Sequence, residues 1–253
     1  MLLKDKVAVI YGAGGAIGSA VAGTFAREGA RLFLSGRNLA PVRSVAEGIA
    51  EAGGKAEAAC VDALDEEAVE RHTAEVVERA GRIDVVLNAV GVGAVQGVHL
   101  VDLKREDFVA PIVAWTTTQF LTARAAARHM LRRRSGVILT LSASPARLAI
   151  AQTGGFGVAC AAVEGLTRTL AAELSPQGVR VVCIRPHRIG DTLENPDFPM
   201  GQDEFRNFIE NMTLLKRLPT LADVANAAAF LASDQAAAMT GTVANLSCGM
   251  SVD

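Results

Sequence analysis

Residues 11–18 read YGAGGAIG. An apolar run, Val7-Ala8-Val9-Ile10, precedes them, and apolar residues recur at helical spacing after them at Ile17, Ala20, Val21 and Phe25. Strand, glycine-rich turn and helix in that order make an anion site. The turn exposes backbone N–H groups, and the helix N-terminus adds positive partial charge. A side chain at Gly12 would obstruct a pyrophosphate, and Gly18 lets the helix pack closely on its strand. The spacing is GxxxGxG with Ala16 for the middle glycine, not GxGxxG, whose third glycine would fall on Ile17. An ordinary strand-to-helix turn has the same order. The rest of the chain has to decide.

Outward from the loop, apolar runs alternate with helical patterns. Strands are expected at 31–35, 56–61, 85–88, 137–141, 180–184 and 242–246. Helices are expected at 39–52, 65–79, 156–174 and 221–232, with a short one ending at 212. A long helical region runs to 134, with a bend expected near Pro111. Residues 185–200 hold several prolines and no periodicity. Repeated β-α units without an internal linker predict one α/β domain over 1–253. Its fold is doubly wound and Rossmann-type, a mostly parallel seven-stranded sheet with helices on both faces. Ligands then belong at the carboxyl ends of the strands.

The totals narrow the partners. At 253 residues, half of them hydrophobic, the chain can bury a large core. A net charge of −2 gives no electrostatic case for nucleic acid or an anionic membrane. Cys60, Cys160, Cys183 and Cys248 lack CxxC spacing, and His99 and His129 lack ligand-spaced partners, so no metal site is expected. The cysteines read as free thiols in a reducing compartment. The first residues, MLLKDKVAVIYG, start a strand at once without a signal-peptide layout, so a cytoplasmic protein is expected.

Four strand ends matter together. The first carries the glycine loop. The second, Ser35-Gly36-Arg37-Asn38, has no carboxylate for a ribose diol, whereas Arg37 suits a 2′-phosphate. NADP(H) is therefore expected in preference to NAD(H), although a solvent-facing turn arginine fits the sequence nearly as well. The third ends in Asp62, an acceptor for an adenine amine or a helix cap. The fourth ends Asn88-Ala89-Val90-Gly91.

With these residues in place, the sequence resembles the short-chain dehydrogenase/reductase family over essentially its whole length. VAVIYGAGGAIG is similar to the family's TGxxxGxG, and DVVLNAVG to its NNAG segment. AAVEGLTRTLAAEL and GVRVVCIRP resemble segments after its active site, and TGTVANLSCGM its closing strand. The resemblance implies a cofactor site on Gly12, Gly14, Gly15, Ile17, Gly18, Arg37, Asp62, Ala63, Asn88, Ala89 and Gly91. It also implies a homodimer or homotetramer acting on a small carbonyl or alcohol, with residues 191–212 covering the substrate.

The family's chemistry is hydride transfer. Its tyrosine is the general acid/base, and a lysine four residues on holds the nicotinamide ribose. A serine orients the carbonyl, and an asparagine supports a proton-relay water. In this sequence those positions carry Phe156, Cys160, Ala143 and Trp115. The single tyrosine, Tyr11, lies in the glycine loop. Ser142, Ser144 and His187 are the candidate substitutes. Beside a redox-neutral lyase or isomerase using His187 or a serine, for which nothing positive in the sequence argues, two readings stay open. One is an NADP(H)-dependent oxidoreductase with a divergent proton donor. The other is a non-catalytic nucleotide-binding protein, either a sensor or the inactive partner in a hetero-oligomer with an active homologue.

Overall fold

Side chains alternate across a strand, so one apolar run can serve two cores. In β1 (Val7–Tyr11), Ala8 and Ile10 enter one apolar cluster, and Val7, Val9 and Tyr11 enter another. In β2 (Arg31–Gly36), Leu32 and Leu34 join the first cluster and Phe33 the second. Strands buried on both faces are the mark of a parallel sheet with helices on each side.

The computed structural model describes residues 1–194 and 201–252. It adds β3 (Lys55–Cys60), β4 (Val85–Asn88), β5 (Gly136–Leu141), β6 (Val179–Pro186) and β7 (Thr242–Leu246). The seven strands run in the order β3-β2-β1-β4-β5-β6-β7. Every pairing is parallel, where the sequence suggested only most. Helices α1 (Ala16–Arg27), α2 (Leu39–Glu51) and α7 (Leu221–Ala232) close the first cluster. Helices α3 (Glu66–Ala80), α4 (Arg105–Arg133) and α5 (Gly155–Leu174) close the second. Pro111 lies inside α4. Helix α6 (Gln202–Met212) packs Phe205 and Ile209 with Leu193 and Leu218 in a small separate cluster.

Helix ends follow local chemistry. The Asp65 side chain accepts the Ala68 N–H at 3.0 Å to start α3, and Gly81 ends it in the left-handed region at φ 76°. Thr220 and Asp223 form a reciprocal capping box at α7. Helix α1 differs. Its N-cap is Gly15, with no side-chain cap.

Strand β6 continues through Pro186, beyond the expected end at 184. The extension brings Arg185 into the sheet, 1% exposed, beside Glu164 of α5. Of the expected substrate-covering segment, residues 195–200 lie outside the described residues. Among the described residues, no helix is long and apolar enough to cross a membrane. None of their His, Cys, Asp and Glu groups could hold a metal ion.

Candidate functional site

The strand order reverses between β1 and β4, which opens a crevice at their carboxyl ends. A cleft of about 550 Å³ lies there. Gly12, Gly14 and Gly15 line it, and Arg37 follows β2 along another side. Asp62 and Ala63 reach it from β3, and Ala89 and Gly91 from β4. Ile17, Gly18 and Asn88 do not line it.

Ile17 packs against the first apolar cluster, and Gly18 and Asn88 also have other places. A Cβ on Gly18 would collide with the Gly12 carbonyl, so this glycine serves loop-to-helix packing. Gly12 has φ +76°, and a Cβ there would stand 2.6 Å from the Ala89 carbonyl oxygen. Only glycine suits that position. The buried Asn88 side chain is committed: Oδ1 accepts the Val90 N–H at 2.9 Å, and Nδ2 donates to Thr122 Oγ1 at 3.0 Å. It fixes the turn that carries Ala89 and Gly91, so it acts on the cleft through backbone.

The remaining groups suit an anionic nucleotide. The Gly12 and Ala13 N–H groups donate to the Ser35 carbonyl at 2.8 and 3.0 Å, which pins the loop to β2. The uncapped first turn of α1 leaves N–H groups for an anion. Arg37 is exposed, with no ion pair to another described residue. Asp62 Oδ1 accepts the Leu64 N–H at 3.0 Å, a local turn that leaves Oδ2 available.

At the other end, Trp115 of α4, Ala143 after β5, and Phe156 and Cys160 of α5 meet in one apolar cluster. Ala159, Val163 and Cys183 complete its buried part. The Trp115 and Phe156 rings stack with centroids 5.2 Å apart and planes 25° apart. Such a pair contributes about 0.5–1.5 kcal/mol beyond its buried area. The Trp115 Nε1 atom is buried there without a hydrogen-bond partner. Cys160 is 0% exposed, and burial pushes its thiol up to about 12. It is a neutral thiol at any ordinary pH, without nucleophilic character.

The candidate substitutes divide. Ser142 Oγ donates to Glu164 Oε1 at 3.0 Å, and Ser144 Oγ donates to the Pro186 carbonyl at 3.2 Å. Both serines are buried, with their protons committed to protein acceptors. Tyr11 points to α3, where its hydroxyl meets Thr73 Oγ1 at 3.3 Å and burial pushes its pKa up to about 12. His187 is 9% exposed, with Nε2 buried and unpartnered. Burial, with Arg188 beside it, pushes its pKa down to about 4, so the ring is neutral at pH 7.

That shift has a measurable sign. Between about 4 and 6.5, the unfolded chain binds a proton at His187 that the folded chain does not. Stability therefore rises with pH across that window. His187→Gln is expected to flatten this part of a melting-temperature profile against pH. An unchanged profile would assign the slope to other groups, such as His72, whose pKa burial also lowers.

Sequence reasoning missed the buried Glu164–Arg185 pair, at 3.2 Å between Arg185 Nη1 and Glu164 Oε1. The available signal was two opposite charges, each set in an otherwise apolar run.

A family model described as enoyl-(acyl carrier protein) reductase matches residues 12–251. The L-rhamnose 1-dehydrogenase (NAD(P)(+)) of Azotobacter vinelandii is 32% identical over 246 residues, covering 95% of this chain and 94% of that protein. The 2,3-dihydro-2,3-dihydroxybenzoate dehydrogenase of Bacillus subtilis is 29% identical over 247 residues, covering 94% and 93%. The crystal structure of NAD+-bound xylitol dehydrogenase matches 98% of this chain and 100% of its own, with TM-score 0.90 and 24% identity. That last likeness is one of fold.

Proposed function

The chain belongs to the short-chain dehydrogenase/reductase family of oxidoreductases, and from that premise we propose that it binds NADP(H) in preference to NAD(H) without carrying out ordinary carbonyl reduction. The observation that carries this reading is the apolar cluster of Trp115, Ala143, Phe156 and Cys160. NADP(H) supplies or takes a hydride, but the matching proton needs a donor. A positioned general acid is worth about 10²–10⁴ in rate. Phe156 has no proton to give, and the Cys160 thiol holds its own far above neutral pH.

The nucleotide preference rests on Arg37, an exposed guanidinium at the cleft with no carboxylate beside it at the end of β2. Arg37→Ala is expected to weaken NADPH about tenfold, the loss of roughly 1.4 kcal/mol from a charge-assisted phosphate contact. NADH affinity should stay unchanged. Calorimetric titration of the native protein and Arg37→Ala with both nucleotides measures this, and equal NADPH affinities would remove Arg37 from the argument. The same titrations, followed by a screen of carbonyl substrates, test the function. Turnover by the native protein at ordinary family rates would overturn it.

A second reading keeps activity, with the neutral His187 ring donating a hydrogen bond to a substrate carbonyl, since a pKa of about 4 leaves it no proton to transfer at pH 7. Its support is the buried, unpartnered Nε2 atom. Turnover that survives His187→Gln would dispose of it.

A single domain over 1–253, with α6 in the substrate-covering segment, belongs to the same proposal. So does assembly as a homodimer or homotetramer, or with an active homologue. Exposed Val109, Val113 and Phe120 on α4 and Val158 on α5 support an apolar contact face. Free thiols, buried at Cys160 and Cys183, support a reducing cytoplasmic setting.

A further inference from the structure

The cleft and the apolar cluster divide the expected dinucleotide site in two, and we infer that only the adenine half of the ligand is bound by this protein. The inference rests on the nucleotide-binding reading above and names its ligand. The ligand class is an adenine nucleotide with a phosphorylated ribose and a 5′-diphosphate. The nicotinamide end makes no contribution to affinity.

The cleft takes its lining from the carboxyl ends of β1, β2, β3 and β4, from the glycine loop before α1 and from the start of α2. Its loop N–H groups, Arg37 and Asp62 are polar groups suited to a diphosphate, a ribose phosphate and an adenine. It stops at Gly91. Nothing from β5, β6 or α5 lines it.

The ends of β5 and β6 are where a second nucleotide half would lie, on the far side of the switch point. There the residues do not fit one. Ser142 and Ser144 give their protons to Glu164 and Pro186. Cys160, at the position from which a cation would grip a second ribose, is a wholly buried neutral thiol. Trp115, buried, and Phe156, half-buried, present stacked rings there, and His187 adds a buried imidazole at the end of β6. The unpartnered Trp115 Nε1 and His187 Nε2 atoms there are too few to replace the water that a ribose and an amide-bearing ring would lose.

The test compares three probes on the full chain by calorimetry: NADPH, 2′-phospho-ADP-ribose, which is NADP without its nicotinamide ring, and adenosine 2′,5′-bisphosphate. NADPH and 2′-phospho-ADP-ribose are expected to bind within about threefold of each other, well under the 1.4 kcal/mol of a tenfold difference. Saturation-transfer NMR with NADP should mark the adenine protons and leave the nicotinamide protons unmarked. NADPH binding more than about threefold tighter than 2′-phospho-ADP-ribose would overturn this inference and leave the nucleotide-binding reading standing. Failure of all three probes to bind would overturn both. The double variant Trp115→Ala, Phe156→Ala supplies an independent check. Emptying the cluster should create an advantage for NADPH that the native protein lacks, and no such advantage would show that the rings were not what excluded it.

Discussion

Ketone reduction with NADPH is expected to rise by about 10²–10⁴ when Phe156→Tyr, Cys160→Lys, Ala143→Ser and Trp115→Asn are combined with His187→Gly. The gain requires the set, because groups that act as a unit do not contribute additively. Phe156→Tyr alone places a hydroxyl on a ring stacked against Trp115, without the lysine that would lower its pKa. Cys160→Lys alone puts an ammonium at a site that is 0% exposed. An unpaired charge there would shed its proton or destabilise the helix. Trp115→Asn removes the ring that fills the space, and His187→Gly removes the imidazole from the end of β6. Single variants are therefore expected to show no gain. A cooperative melt separates an inactive fold from an unfolded chain. If native protein already reduces ketones as fast as the fivefold variant, the apolar cluster is not what withholds the reaction.

Much of the fold was legible because the strands are short apolar runs buried on both faces and the helices are bounded by glycine, proline and capping residues. The expected 221–232 and 242–246 segments coincide with α7 and β7. The end of β6 was not legible. Arg185-Pro186 reads locally as loop, and the buried carboxylate of Glu164 that helps make an arginine tolerable inside a sheet is distant in sequence. The glycine loop was readable as backbone geometry, since positive φ at Gly12 and the closeness of Gly18 to its neighbours leave no room for a side chain. Asn88 was not. Its place at a strand end suggested a ligand contact, whereas its hydrogen bonds to Val90 and Thr122 are visible only when α4 lies against β4. The gathering of Trp115, Ala143, Phe156 and Cys160 needs three separate elements to meet. Periodicity could not supply that. Nor could it show that Ser142 and Ser144 are already bonded, because a serine in a strand has the same pattern whether its hydroxyl meets substrate or protein.

Arg185→Met is expected to cost about 3–5 kcal/mol of stability, because it leaves the Glu164 carboxylate buried without the arginine. Glu164 lies one turn beyond Cys160 on α5, so its carboxylate sits behind the apolar cluster and joins Ser142 of the β5 end to Arg185 of β6. With side chains only 1% and 6% exposed, solvent can replace little of what either charge loses. Removing one charge is therefore much worse than removing both. The double variant Glu164→Gln, Arg185→Met is expected to recover most of the loss, since a buried ion pair stabilises a fold little relative to a neutral, well-packed pair. A surface pair makes the control: Lys6 meets Asp234 at 3.1 Å, but the Asp234 side chain is 88% exposed. Lys6→Met should cost less than about 1 kcal/mol. Denaturant midpoints for the two singles and the double close a mutant cycle on Glu164 and Arg185. A double variant as unstable as Arg185→Met would mean that the arginine is needed for its packing and its other contacts, not to neutralise the carboxylate.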